Sequence, residues 1–81
     1  MSVTPAQAEE QAKKAVADYL QACGATDPVM VGNVLMKLLS VAGVHIAVAE
    51  GSTKAFERLY GTAWFVRNNL PAEPVKTGNT Q

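Results

Sequence analysis

The stretch that decides the fold is Pro28 to Glu50, PVMVGNVLMKLLSVAGVHIAVAE, which holds one basic and one acidic side chain in 23 residues. Wound at about 3.6 residues per turn, it is apolar on nearly every side. Val31, Val34, Leu35, Leu38, Ala42 and Ala49 share one face. Met30, Val41, Val44 and Val48 flank that face on one side, and Leu39 and Ile46 on the other. A helix apolar all round avoids water on all sides, so the pattern predicts a buried central helix.

Both ends of this helix are marked. Asp27 before Pro28 is the cap-then-proline signature of a helix start, and Glu50–Gly51 marks the stop. Inside it, Val44, Ile46 and Val48 alternate as in a strand. A lone strand needs partners, and no second candidate is visible in the chain. Helix is therefore expected, with a bend at Gly43, and an inter-chain strand pair is the lesser alternative.

Outward from this core, Thr4, Pro5 and Gln7 form a capping box with proline at the first helical position. They predict a first helix running to about Cys23 and stopped by Gly24. Its stripe is Ala8, Ala12, Ala15, Val16, Tyr19, Leu20 and Cys23, thin where alanines dominate. Glu9 with Lys13, and Glu10 with Lys14, are favourable pairs four apart. Ser52 is expected to cap a third helix through about Asn68. Its inward face is Ala55, Phe56, Leu59, Tyr60, Thr62, Ala63 and Val66, with Phe56, Tyr60 and Trp64 as an aromatic ridge packing on the central helix.

The expected architecture is all-α: a small three-helix unit whose second and third helices form an antiparallel hairpin. Residues 1–3 are expected to fray, 4–70 to form a single helical domain, and 71–81 to be a disordered C-terminal tail rich in proline and small polar residues.

A chain of 81 residues buries only about 60 to 65% of the surface its unfolded form exposes. The usual supplements are disulfides, metals and oligomerisation. One Cys and one His supply neither an internal disulfide nor a metal cluster, so self-association into an oligomeric helical bundle is the expected supplement. Gly32 and Gly43 stand eleven residues apart, nearly in line with Met36 and Leu39. Small residues on one line admit a second helix, so Gly32, Met36, Leu39, Gly43 and Ile46 are the candidate oligomer interface.

Seven basic and seven acidic residues balance without runs, which gives no electrostatic pull toward nucleic acid. A helix-turn-helix reading would scatter Lys54, Arg58 and Arg67 around the third helix, so DNA binding is not expected. The N-terminus lacks a basic region followed by an apolar one, and the single Cys suits a reducing compartment; a cytoplasmic protein is expected. Val29 to Ala49 approaches bilayer-spanning length. A central Lys37 costs roughly 2.5 to 3.5 kcal/mol on insertion, however, and the flanks lack basic anchors, so no membrane span is expected.

Glycine-rich phosphate loops and G-x-S-x-G, H-E-x-x-H and C-x-x-C motifs are absent. No cofactor is called for and no enzyme is expected. His45 projects onto the apolar face between Val34 and Leu38, where a core or interface imidazole is favoured over a catalytic one; paired across a symmetric interface it would make association pH-sensitive. Cys23, at a helix C-terminus, reads as a small hydrophobe rather than a nucleophile. Lys37, Asn33 and Ser40 make one polar strip, read first as solvent-facing.

Phe65 is the anomaly. It projects to the polar side of the third helix, one turn past Gly61 and near Arg58 and Trp64, as aromatic and Arg anchors do around a notch in interaction hot spots. The leading expectation is a non-enzymatic protein–protein interaction module of adaptor or inhibitor type. It would self-associate through the central helix and present Arg58, Gly61, Trp64 and Phe65 to a protein partner. The alternative is a small-ligand binding or sequestering oligomer with an inter-subunit pocket near Asn33, Lys37 and His45.

Overall fold

A computed structural model describes residues 2–74, so the expected tail at 75–81 and Met1 of the expected frayed start lie outside the described residues. Ser2 and Val3 have no regular structure, and Leu70 to Pro74 follow the last helix without forming another element. The described residues are all-helical: α1 spans Pro5–Cys23, α2 Pro28–Glu50 and α3 Ser52–Asn69.

The helix boundaries follow from local chemistry. The Gln7 backbone N–H donates to Thr4 Oγ1 at 3.1 Å, and the Thr4 N–H donates to Gln7 Oε1 at 2.9 Å. This is the reciprocal capping box. Gly24 adopts φ 67°, ψ 31°, a left-handed conformation that costs an L side chain roughly 1–2 kcal/mol. The Gly24 N–H reaches the Gln21 carbonyl and the Ala25 N–H reaches that of Leu20, a Schellman closure of α1. At the start of α2, Asp27 Oδ1 accepts from the Met30 N–H at 2.9 Å. The helix assignment then continues through Gly43 to Glu50, so Val44, Ile46 and Val48 are helical and form no strand.

Gly51 alone joins α2 to α3. Its φ 92°, ψ 159° is a region open essentially to glycine only. Its N–H closes α2 on the Ala47 carbonyl at 2.8 Å, and its carbonyl opens α3 by accepting from the Ala55 N–H at 3.0 Å. Gly51, not Ser52, is therefore the N-cap of α3; Ser52 is already helical, and no side chain caps this end.

Two compact units divide inside α2, one ending at Val41 and the other beginning at Ala42. In the first, Val16, Tyr19 and Leu20 of α1 and Val31, Val34, Leu35 and Leu38 of α2 are half-buried. Tyr19 Oη donates to the Val34 carbonyl oxygen at 2.8 Å. In the second, Gly43 and Ala55 are buried, with Ile46, Ala47 and Leu59 half-buried beside them. The contact between α2 and α3 is the largest between helices.

The expected burial of α2 is not met within one chain: Gly43 is its only buried residue among those described. The physical reason is a shortage of covering atoms. Ala8, Ala12 and Ala15 offer little side chain, and all three stay exposed, as does Cys23. The aromatic ridge does not pack inward either. Phe56 and Tyr60 stack on each other with centroids 5.6 Å apart, yet Phe56, Tyr60 and Trp64 remain exposed.

Candidate interaction surface

Three surfaces compete for a functional role, beginning with the hinge of the α2/α3 hairpin. Arg58, one and a half turns into α3, reaches back to the last residue of α2. Its Nε donates to Glu50 Oε1 at 2.6 Å and its Nη2 to Glu50 Oε2 at 3.0 Å. The fork-to-fork bond holds the Glu50 carboxyl below its ordinary range and raises the Arg58 guanidinium. Arg58, expected on the partner-facing surface, has its guanidinium paired within its own chain. Beside the pair lies an open cleft of about 350 Å³ lined by His45, Ile46, Ala49, Glu50 and Arg58. A larger concavity of about 520 Å³ is lined by Ala6, Gln7, Glu10, Gln11 and Lys14. All five belong to one helix and enclose nothing, so that space lies between long surface side chains.

The α3 notch is the second surface. Gly61 has no atom within 4 Å of where a Cβ would stand, and Trp64 and Phe65 are each 59% exposed. Every residue from Tyr60 to Leu70 is exposed. The end of the helix is tied by its own side chains, with Asn68 Nδ2 donating to the Trp64 carbonyl and Asn69 Nδ2 to that of Phe65.

The third surface is α2 itself. Gly32, Met36 and Leu39 are exposed, and Gly32 has nothing within 4 Å of a built Cβ. Gly43, expected in the same seam between chains, instead meets Leu59 of its own chain: a Cβ there would lie 3.1 Å from Leu59 Cδ1. Ile46 is half-buried. Asn33 and Lys37 belong to the first unit and His45 to the second, and all three are exposed, so of the core or interface positions expected for His45 the single-chain core is not the one it takes. By length and composition α2 is also able to cross a bilayer, with 6% of its most apolar window buried.

The Tyr19–Val34 bond has no forecast in the sequence. Partial burial first, and then the neighbouring Cys23, raise the Tyr19 phenol; a phenol on an apolar stripe needs a partner, and that need is the available signal. On α1 the expected Glu9–Lys13 pair is present at 3.6 Å, with Glu10 also 3.5 Å from Lys13, while Lys14 pairs with Asp18 at 2.8 Å rather than with Glu10. Among the described residues no group of three or more His, Cys, Asp or Glu gathers as metal ligands.

No protein-family model matches the chain, and neither a curated protein nor a solved structure is significantly similar to it.

Proposed function

We propose that this chain is a non-enzymatic interaction module that self-associates through α2 and offers the Gly61, Trp64 and Phe65 notch to a protein partner. The observation that carries the reading is exposed apolar side chains within each unit: Val29, Met36, Leu39 and Val41 of α2 in the first, and Val44, Val48, Trp64 and Phe65 in the second, are all exposed. Apolar helix faces left bare in this way mark sites of association.

Lipid is the other medium able to cover α2, and its length and hydropathy favour that reading. Lys37 near the centre of the helix and Asn33 one turn before it weigh against it, since a charge in hydrocarbon needs a partner or a wet path. Protein is the cover we propose.

Light scattering across a dilution series tests this. A mass of two or more 8.6 kDa chains, falling on dilution, is expected. A single chain at millimolar concentration, or co-flotation with phosphatidylcholine vesicles, overturns the reading. For the notch, Trp64→Ala and Phe65→Ala are expected to abolish capture of one defined partner while leaving the assembled mass unchanged.

A further inference from the structure

The connection between α2 and α3 is a single residue, and it lies wholly inside the second unit. Gly51 donates to the Ala47 carbonyl as the last rung of α2, and its own carbonyl accepts from the Ala55 N–H as the first rung of α3. Only its φ 92°, ψ 159° separates the two helices. Were those angles to turn to the helical values of about −63° and −42°, one helix would run from Ala42 to Asn69. Among the described residues, the N–H groups of Ser52, Thr53 and Lys54 find no acceptor in the hairpin. In the straight form they meet the carbonyls of Val48, Ala49 and Glu50 at the ordinary helical spacing. Glu50 then exchanges its fork with Arg58 for Lys54, one turn on and in the favourable order.

What the straight form loses is the packing of the hairpin, and a second copy restores it residue for residue. The Gly43–Leu59 contact has Gly51 at its midpoint in the sequence, and so do Ala47 and Ala55, which are half-buried and buried. Two straight helices laid antiparallel across a two-fold axis at Gly51 therefore bring Gly43 of each chain to Leu59 of the other, and Ala47 to Ala55. Each contact is made twice, as an isologous interface demands.

We propose that Gly51 is a hinge through which two chains exchange α3: a hairpin in the single chain, a straight α2–α3 helix in the pair. The inference rests on the self-association reading for the identity of the partner and adds to it the segment that is exchanged. A second copy is the occupant because only another α3 carries the Leu59 and Ala55 that fit the place vacated on α2. The device is a balance of local terms. The Glu50–Arg58 fork and the Gly43–Leu59 contact hold the hairpin shut. Against them stand the glycine-only conformation of a one-residue turn, which opening relieves, three backbone hydrogen bonds, and the mass action of the second chain.

Spin labels on Val44→Cys and Arg67→Cys in a Cys23→Ser background read the hinge, and both sites are exposed. Labelled chains are mixed with a tenfold excess of unlabelled ones, so that electron–electron double resonance reports the distance within one chain. In the hairpin the two backbone sites stand about 17 Å apart, from the spacing of packed helices and the rise along them. In the straight form they stand about 35 Å apart at 1.5 Å per residue. The parent chain is expected to show a long component that grows with concentration, in step with the mass by light scattering. Gly51→Ala disfavours φ 92° and suits a helix, so its ratio of long to short distances is expected to rise at least tenfold at equal concentration. Inserting Gly-Ser-Gly after Gly51 relaxes the turn and is expected to leave only the short distance; a long component undiminished there overturns the hinge. A Gly51→Ala chain that associates yet keeps only the short distance removes the exchange and leaves self-association standing, whereas one that stays single and short removes both. A long distance independent of concentration also overturns the exchange, because the chain then straightens without a partner. Should Gly51→Ala lose its helix content, the parent series decides: the short distance alone at millimolar concentration overturns the proposal.

Discussion

Replacing Gly43 with alanine sets two effects of known size against each other. Within a helix, Gly→Ala removes about 1 kcal/mol of conformational penalty. At Gly43 the new Cβ would stand 3.1 Å from Leu59 Cδ1, whereas carbon pairs rest at about 3.5–4.0 Å, so Leu59 has to yield by roughly half an ångström. Leu59 is only half-buried, and turning it off its rotamer costs about 0.5–1.5 kcal/mol. The two nearly cancel, and Gly43→Ala is expected to change stability by less than about 0.5 kcal/mol. Gly61 supplies the control: it is helical with nothing within 4 Å, so Gly61→Ala is expected to keep the full gain, about 1 kcal/mol or 4–8 °C in melting temperature for a domain of this size. In a Leu59→Ala background the obstruction is gone, and Gly43→Ala is expected to recover the same gain, a coupling of about 1 kcal/mol in the double-mutant cycle. The assay is urea and thermal unfolding by circular dichroism at one fixed protein concentration, since association makes the midpoint concentration-dependent. If Gly43→Ala is as stabilising as Gly61→Ala, and the cycle shows no coupling, then Leu59 does not lie against Gly43.

Gly51→Ala forces a side chain into the φ 92° conformation and is expected to cost about 1–3 kcal/mol; a melting temperature equal to that of the parent chain contradicts the turn geometry. Gly32 is helical with nothing within 4 Å of a built Cβ, so Gly32→Ala is expected to gain about 1 kcal/mol, and a lower melting temperature contradicts that open space. Thr4→Ala removes the cap of α1 and is expected to cost about 1 kcal/mol, read as faster amide exchange in the first turns of α1 with α3 unaffected. The Glu50 carboxyl is held below its ordinary 4.5 by its hydrogen bond to Arg58. Its contribution is therefore complete above that value and lost as pH falls through the lowered one. The stability gap between the parent chain and Glu50→Gln is expected to be constant above about pH 5 and to close on acidification, and a gap that does not shrink as pH falls contradicts the pairing.

The helix boundaries were legible because capping is local chemistry. Thr4 with Gln7, Asp27 with Met30, and the glycines at 24 and 51 act on neighbours a few bonds away, and each appears where the residue types imply. The one miss among them, Ser52 for Gly51, arises because backbone freedom rather than a side-chain oxygen starts α3. The candidate surfaces were harder to read because they depend on which neighbour meets which face. The Arg58–Glu50 fork is an example, since nothing in a helical wheel shows that Glu50 lies across a one-residue turn from Arg58. Phe56 and Tyr60 looked like core because large rings usually are; they instead satisfy each other as a stacked pair on the surface.

The burial of α2 shows why this difference is physical. Hydrophobic periodicity reports that Val29, Met36, Leu39, Val44 and Val48 lose free energy in water, and that holds whether their cover comes from the same chain or from another. Every one of them is exposed in the single chain. Single-chain sources of cover are also limited by geometry: the α1 stripe opens with three alanines, and α3 makes its buried contact through Ala55, with Leu59 half-buried beside it. A helix averse to water on all sides, between neighbours too thin to enclose it, leaves apolar side chains that another molecule has to cover, and the concentration dependence of the mass tells whether that molecule is a second copy of the chain.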